Sequence, residues 1–253
     1  MNIEIFGGSE RVRYAEGVLS LADGEIENIK VLPIPTTRDG VRITGTEISL
    51  SDFEKTLEKG SFIIGYGLPE SLKASLGIQG IEYYDAKDDE DFLVENAHIT
   101  AIGALGYMLG TCKKIPADMK IGIIGYGRIG SALARMLLFF GARVKIFSSK
   151  KLTKIELGLF GVDTPEIDLE GYSFSSISSL DVIFNTAPTT LSYIFPEKRV
   201  PRGMRVIDLA SGDSFPGVVG VEYLPSLPDR MYPESAGNAY AKHALFRIKD
   251  KEN

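Results

Sequence analysis

The sequence predicts an α/β protein with two domains: a Rossmann-type, doubly wound parallel sheet and a smaller, flavodoxin-like α/β domain at the N-terminus. Short apolar runs alternate with helical patterns in both halves of the chain, which is typical of parallel sheets. Near residue 125 a glycine-rich turn joins a buried strand to a helix. Glycine supplies 27 of the 253 residues, above the average of about 7 %, which predicts many tight turns and close backbone approaches.

The first domain, residues 1–90, is predicted to hold four strands and three helices. The strands are predicted at 3–6, 30–34, 61–65 and 81–84, and the helices at 11–21, 51–60 and 69–76. The second helix begins with the capping pattern Ser51 to Glu54 and ends at Gly60. A C-terminal helix at about 233–249 is predicted to return to this domain.

A connecting helix at 91–115 leads to the second domain, residues 116–232. Pro116 marks the boundary between them. Strands are predicted at 120–125, 144–147, 181–185 and 204–209, with a helix at 131–140 that stops at Gly141. We therefore expect the alternation of strand and helix to begin again after Pro116.

The composition excludes several classes of protein. A net charge of −6 and a pI near 5.2 give no basic surface for nucleic acid. One cysteine, Cys112, and two histidines predict neither a disulfide nor a metal site. The longest uncharged stretch, Asn96–Cys112, is shorter than the roughly 20 apolar residues of a membrane span. The N-terminus has an acid, Glu4, within its apolar run, so a cytoplasmic protein without a membrane partner is expected.

The glycine-rich turn has the spacing of a dinucleotide-binding site and consists of Gly125, Tyr126, Gly127, Arg128, Ile129 and Gly130. The first glycine permits the tight turn, and the second lets a pyrophosphate approach the backbone. The third lets the helix pack closely on the strand. Because the turn follows a strand and opens a helix, the N–H groups of that helix are predicted to bind phosphate.

The residues after the second strand of this domain choose between the two nicotinamide cofactors. An acid there favours NAD, by binding the ribose 2′-hydroxyl. This chain has Ser148, Ser149, Lys150 and Lys151 instead, which offer hydroxyls and ammonium groups to a 2′-phosphate. The sequence therefore favours NADP over NAD.

Two further polar strand ends are expected at the cofactor site, because ligands bind at the carboxyl edge of a parallel sheet. One is the segment Asn185, Thr186, Ala187 and Pro188, and the other is Asp208, Leu209, Ala210 and Ser211. Of these, Asn185, Thr186, Pro188, Leu209 and Ala210 are predicted to contact the cofactor.

Taken in order, these segments resemble the dipicolinate synthase family, in particular its A subunits. The resemblance is carried by 7–11, 95–104, the glycine turn with 141–144, 185–188, 207–211 and 227–237. It implies a two-domain architecture like that of 2-hydroxyacid dehydrogenases, with bound NADP and a small dicarboxylate substrate. It also implies oxidation of a dihydrodipicolinate-type intermediate to pyridine-2,6-dicarboxylate, partnership with a flavoprotein B subunit, and a place in the mother cell of spore-forming bacteria.

The chain departs from that family at four places. Ser9 stands where the family has Asp, and Ile102 stands where it has Glu. Gly212 to Ser214 replaces Pro-Gly-Gly, and Asp229-Arg230 replaces Gly-Lys. Two alternatives therefore stay open: a 2-hydroxyacid dehydrogenase and a nucleotide-binding partner subunit without catalysis. The sequence also leaves a homo-oligomer open.

Candidate substrate-binding and catalytic residues follow from the chemistry of a dicarboxylate, which needs cations or N–H and O–H donors. Substrate binding is predicted for Ser9, Arg11, Thr37, Arg230 and Ser235. His98 is the candidate acid or base, and Thr100 matches the family's Asn-Ala-x-x-Thr segment. The alternative without a functional role is that the arginines lie at the surface and the histidine is packed or exposed. The threonine would then be hydrogen-bonded to the backbone of its own helix.

Overall fold

A computed structural model describes residues 2–21, 28–148, 166–168 and 174–250. The chain divides into two compact units, each with its own parallel sheet. Unit 1 comprises Met1–Asn96 and Pro228–Asn253, and unit 2 comprises Ala97–Leu227. The predicted fold class, two parallel α/β sheets with a Rossmann-type sheet in the second, is confirmed.

The strands are β1 (Asn2–Ile5), β2 (Asn28–Val31), β3 (Ser61–Gly65), β4 (Glu82–Asp85), β5 (Lys120–Ile124), β6 (Arg143–Phe147), β7 (Glu166–Asp168), β8 (Val182–Asn185), β9 (Arg205–Asp208) and β10 (Val221–Tyr223). The helices are α1 (Glu10–Ser20), α2 (Leu50–Glu54), α3 (Glu70–Gln79), α4 (Glu90–Thr111), α5 (Arg128–Phe139), α6 (Phe174–Ile177), α7 (Leu227–Met231) and α8 (Pro233–Asp250). Strands β7 and β10 and helices α6 and α7 carried too short a pattern to be predicted.

The sheet of unit 1 has the strand order β1-β2-β3-β4, all parallel. One face carries Ile29, Val31, Phe62 and Ile64, which pack against α1 and α8. The opposite face packs against α2 and α3 through apolar residues that include Leu32, Ile63, Phe53 and Leu72. In the described part of unit 1, β1 is therefore an edge strand, whereas a flavodoxin-like order places the first strand inside the sheet.

This arrangement makes the first crossover of unit 1 unusual. The three connections step across the sheet in one direction, yet α1 lies on one face while α2 and α3 lie on the other. The first crossover therefore has the opposite hand to the next two, and right-handed crossovers are the strong rule. The chain leaves β1 and β2 toward opposite faces, so a crevice is expected at their carboxyl ends.

The sheet of unit 2 has the order β10-β9-β8-β5-β6-β7, which is the Rossmann strand order. Leu133 and Leu137 of α5 pack on one face against Ile121 and Val144. The other face is covered by a second apolar cluster that includes Phe147, Ile183 and Phe215. The strand order reverses between β5 and β8, so the ligand crevice of this unit is expected at their carboxyl ends.

Helix α4 is long and apolar enough to cross a membrane by length and composition, and half of its most apolar window is buried inside the protein. Its residues Ala101, Ala104, Leu105 and Met108 belong to the apolar core of unit 2. These four residues are therefore part of the packed interior of unit 2.

Helix α2 differs from its predicted bounds. It begins at Leu50 and ends at Glu54, with Ser49 rather than Ser51 as its N-cap. The Ser49 hydroxyl accepts the N–H of Asp52 at 3.0 Å and donates to the carboxylate of Asp52 at 2.7 Å. The predicted capping pattern at Ser51 was wrong because the serine two residues earlier satisfies the same N-terminal donors.

Candidate functional site

The glycine turn of unit 2 has the geometry that its spacing predicts. Gly125 has a φ of 90°, which favours glycine. A Cβ at Gly130 would lie 2.2 Å from the carbonyl oxygen of Gly125, so only glycine fits this contact between turn and helix. Both positions therefore need glycine for the fold itself.

The middle glycine has a different environment. Gly127 is exposed and forms the N-cap of α5, and no side chain caps this helix. A Cβ placed on Gly127 would have no atom within 4 Å, so open space lies in front of the helix. The first turn of α5 contains no acid. The N-terminal N–H groups and the positive dipole end of α5 fit a phosphate group.

A second turn, Asn185 to Pro188, is tied to the glycine turn. The Thr186 hydroxyl lies 3.0 Å from the carbonyl oxygen of Ile124 and 3.2 Å from that of Gly125, and it can donate to either. The side chain of Asn185 bridges its own turn: its Oδ1 accepts the N–H of Ala187 at 3.1 Å, and its Nδ2 donates to the Ala187 carbonyl. The predicted residues Tyr126, Arg128, Ile129, Thr186 and Pro188 thus lie in or beside two joined turns.

Asp208 belongs to a strand end that the sequence placed at the site, although it was not among the residues predicted to contact the cofactor. It ends β9 directly opposite Asn185 at the end of β8. Asn185 Nδ2 donates to Asp208 Oδ1 at 2.8 Å, and the N–H of Ala210 donates to the same oxygen at 3.1 Å. Burial raises the pKa of Asp208, although hydrogen bonds from Asn185, Ala210 and Ser214 oppose that shift. Its position at a strand end beside another polar strand end was the available signal.

The predicted residues for cofactor choice are only partly described. Ser148 follows β6 and is buried. Ser149, Lys150 and Lys151 lie outside the described residues. Leu209 is buried and its N–H donates to the Asn185 carbonyl at 2.9 Å, so it belongs to the same group of strand ends.

The candidate catalytic residues His98 and Thr100 both lie on α4 in unit 2. His98 is exposed, whereas Thr100 is 8 % exposed. Residues two positions apart on a helix point to different sides. The structure therefore does not bring these two side chains together.

In unit 1 the predicted residues Ser9 and Arg11 lie at the start of α1. Ser9 is its N-cap and accepts the N–H of Val12 at 3.4 Å. Arg11 is 1 % exposed; its Nη2 donates to Asn96 Oδ1 at 2.8 Å, and its Nε lies 3.3 Å from Asp229 Oδ1. Burial lowers the pKa of Arg11, an effect that Asp229 opposes. Burial raises the pKa of Asp229, although Arg11 and Arg38 favour its charged form.

The other predicted substrate residues of unit 1 lie at separate places. The Thr37 hydroxyl accepts the N–H of Gly40 at 2.9 Å and lies 3.2 Å from Asp39 Oδ1, within the loop after β2. Arg230 lies in α7 and Ser235 in the first turn of α8, and both are exposed. Across the described ranges, no group of three His, Cys, Asp or Glu side chains could hold a metal ion.

The fold and the glycine turn define a class of fold: two-domain α/β proteins whose second sheet has the Rossmann strand order. Among solved structures, the chain is similar to dipicolinate synthase A chain from Bacillus subtilis, with a TM-score of 0.72, 20% identity, and coverage of 99% of this chain and 97% of that one. It is equally similar to the corresponding dipicolinate synthase chain from Bacillus halodurans, with a TM-score of 0.71, 20% identity, and coverage of 98% and 97%.

A more distant likeness is to a D-lactate dehydrogenase from Treponema pallidum, with a TM-score of 0.52, 12% identity, and coverage of 100% and 97%. No protein-family model matches the sequence, and no curated protein matches it. The likeness to the two Bacillus structures confirms, at the level of fold, the predicted resemblance to the A subunits of dipicolinate synthase.

Proposed function

We propose that the protein is an NADP-dependent oxidoreductase subunit of the dipicolinate synthase type. The observation that carries this proposal is the open N-terminus of α5: Gly127 has free space before it, no side chain caps the helix, and the site lies where the strand order reverses. The likeness of the whole fold to the A subunits of dipicolinate synthase supports it.

The cofactor contacts follow from the carboxyl edge of the second sheet. The N–H groups of Arg128 and Ile129 bind the pyrophosphate, and Gly127 lets it approach. Ser148, Ser149 and Lys150 bind the 2′-phosphate, while the turn after β8, together with Leu209 and Ala210, binds the nicotinamide end. NADP, when bound, supplies a hydride acceptor. The protein then has to orient the substrate and remove one proton.

The substrate proposed is a dihydrodipicolinate-type dicarboxylate, which is oxidised to pyridine-2,6-dicarboxylate. Arg230, exposed in unit 1, is the cation proposed for a substrate carboxylate, and Ser9, Thr37 and Ser235 are the proposed hydroxyl donors. His98 or Thr100 takes part in the removal of the proton. A flavoprotein B subunit is the proposed partner, and the proposed place is the mother cell during sporulation.

Cofactor binding is tested first, by fluorescence titration with NADPH and NADH. We expect NADPH to bind more tightly, and a Lys150→Ala/Lys151→Ala variant to lose about tenfold in NADPH affinity with NADH affinity unchanged. Equal binding of both cofactors to the parent protein would argue against NADP preference. Binding of neither would contradict the proposed function.

Turnover is tested by following NADPH formation from dihydrodipicolinate, with and without a flavoprotein B subunit. Formation of NADPH and of pyridine-2,6-dicarboxylate in equal amounts supports the proposal. A Gly127→Ala variant serves as the control with an impaired cofactor site. If the parent protein binds NADPH but forms none from dihydrodipicolinate in either mixture, the oxidoreductase proposal is contradicted.

That last outcome would favour a second candidate, a nucleotide-binding partner subunit without catalysis. The observations behind it are that exposed His98 and buried Thr100 lie apart, and that Arg11 is paired with Asp229. A 2-hydroxyacid dehydrogenase is less favoured, because no arginine follows the Asp208 strand end at the place where that class has one.

A further inference from the structure

Asp208 is buried among neutral hydrogen-bond donors of Asn185, Ala210 and Ser214, and burial outweighs their effect on its charge. It is 2 % exposed. Its Oδ1 accepts two hydrogen bonds, from Asn185 and Ala210, while its Oδ2 is buried and has no partner of normal geometry among the described residues. A carboxylate normally spreads its charge over donors to both oxygens. A carboxyl that is buried beside neutral donors, with one oxygen outside normal hydrogen-bond geometry, is favoured in its neutral form.

The groups that face Asp208 include no cation among the described residues. Asn185 approaches from β8, and Ala210 and Ser214 approach from the segment after β9. Tyr223 approaches from β10, with a hydroxyl that donates to Asp213 at 3.0 Å. Among the described residues, these strongest interactions of Asp208 are therefore with neutral groups, and the neighbouring Asp213 is acidic. Burial raises the pKa of Asp208, in agreement with this geometry.

Asp208 is also connected to the cofactor site through consecutive contacts. Its Oδ1 accepts a hydrogen bond from Asn185 Nδ2. Asn185 Oδ1 in turn accepts the N–H of Ala187, within the turn that contains Thr186. Thr186 in turn contacts the carbonyl oxygens of Ile124 and Gly125 at the start of the glycine turn. A change at Asp208 is therefore transmitted to both turns by hydrogen bonds alone.

We propose that Asp208 is a positioning residue that, with its carboxyl protonated, holds the Asn185–Pro188 turn in its cofactor-binding arrangement. The inference rests on the proposed cofactor site. Ionisation of Asp208 places an unbalanced buried charge beside the site of an anionic dinucleotide and pulls on the Asn185 amide. Cofactor affinity therefore falls as pH rises and Asp208 loses its proton.

The test compares the parent protein with Asp208→Asn and Asp208→Ala. Asparagine is a neutral isostere that keeps the acceptor for Asn185 and cannot ionise, whereas alanine removes the acceptor. We titrate each with NADH, which lacks a titrating 2′-phosphate, between about pH 5 and pH 9. The parent protein is expected to lose about three- to tenfold in affinity across this range.

Asp208→Asn is expected to bind within about threefold of the parent at the acidic end and to show a flat profile above it. Asp208→Ala is expected to bind about tenfold more weakly at every pH. Parallel pH profiles for the parent and Asp208→Asn would overturn the inference. So would a loss of tenfold or more in Asp208→Asn at acidic pH.

A direct readout does not depend on cofactor or on a variant's folding. Infrared spectra of the parent protein labelled with ¹³C at aspartate carboxyls report whether one buried carboxyl stays protonated at neutral pH. A protonated signal supports the inference, and its absence overturns it. If the parent binds no dinucleotide, the proposed function fails; if it binds but Asp208→Asn leaves the pH profile unchanged, only this inference fails.

Discussion

Arg11 in unit 1 and Asp208 in unit 2 are both buried ionisable side chains, and their charges are balanced differently. In unit 1, Arg11 has a carboxylate partner, Asp229, and an amide partner, Asn96. In unit 2, the donors to Asp208 among the described residues are neutral groups of Asn185, Ala210 and Ser214. Each of the two groups also has one buried atom without a normal hydrogen bond, Nε in Arg11 and Oδ2 in Asp208.

The difference indicates what each edge does. A buried cation that already faces a carboxylate of its own chain is neutralised internally, so it holds elements of unit 1 together. A substrate carboxylate that approached Arg11 would compete with Asp229. At the edge of unit 2 the N-terminus of α5 has no side-chain cap and Asp208 faces neutral donors, which fits the proposed ligand site.

The largest loss in the free energy of unfolding is expected from Arg11→Met. This variant leaves Asp229 without its buried cationic partner. Removing one partner of a buried pair costs about 3 kcal/mol, because the remaining charge keeps its desolvation penalty. The measurement is urea unfolding followed by circular dichroism, with amide exchange of α1 to locate the change in unit 1.

The matched control is the double variant Arg11→Met/Asp229→Leu, in which both charges are replaced by apolar groups. Since an apolar pair of similar volume is often as stable as a buried ion pair, most of the lost stability should return. A single variant as stable as the parent would show that Asp229 does not depend on Arg11.

A second prediction compares the glycines that open the two edges, Gly127 and Gly8. A Cβ at either position has no atom within 4 Å. Gly127→Ala is expected to weaken dinucleotide binding by at least about tenfold, because the Cβ occupies the approach of the pyrophosphate. Gly8→Ala is expected to change neither binding nor folding, and fluorescence titration and thermal unfolding measure both. Loss of binding in Gly8→Ala alone would place the dinucleotide at unit 1.

A smaller effect is expected from Thr186→Val, which removes the hydroxyl between the two turns of unit 2. One lost hydrogen bond between side chain and backbone costs about 1 kcal/mol. We expect a lower free energy of unfolding and faster amide exchange at Gly125. Thr190→Val, at an exposed position of the same loop, is the control. Equal changes in the two variants would contradict a specific role for Thr186.

The smallest effect concerns the acid stability of unit 1. Burial favours the neutral forms of Asp89 and Glu95, but hydrogen bonds outweigh it and the pKa of each lies below its ordinary value. For Asp89 the donors are the Phe92 N–H and the Tyr84 hydroxyl, and for Glu95 they are Lys242 and His243. The stability that they add is present above the ordinary carboxyl pKa and is lost as pH falls through the lowered values.

Asp208 has the opposite sign, because its raised pKa means that ionisation favours the unfolded state. The melting temperature of Asp208→Asn should therefore rise relative to that of the parent protein as pH rises. As pH falls, the melting temperature of Glu95→Gln should fall less than that of the parent. Identical pH dependence in the parent and both variants would contradict the assigned signs.

Much of the fold followed from local patterns. The strand Ser61–Gly65 was predicted with its observed bounds, and the glycine turn was predicted with its helix, although α5 begins at Arg128 rather than Ser131. Apolar runs, glycines and prolines act on the neighbouring backbone, so the elements that they form or end can be predicted from a single sequence. The N-cap of α2 was misplaced because two serines in one short segment can serve the same donors.

The sequence alone determined two parallel α/β sheets, the Rossmann identity of the second, and the position of the glycine turn from Gly125 to Gly130. Only the tertiary structure decided that Arg11 meets Asp229, which lies more than two hundred residues away, and that β9 sets Asp208 opposite Asn185. Local conformation depends on near neighbours, whereas charge balance in a buried site depends on which distant segments pack together. For that reason the glycine turn was predictable, and the contrast between an arginine paired with a carboxylate and an aspartate beside neutral donors was not.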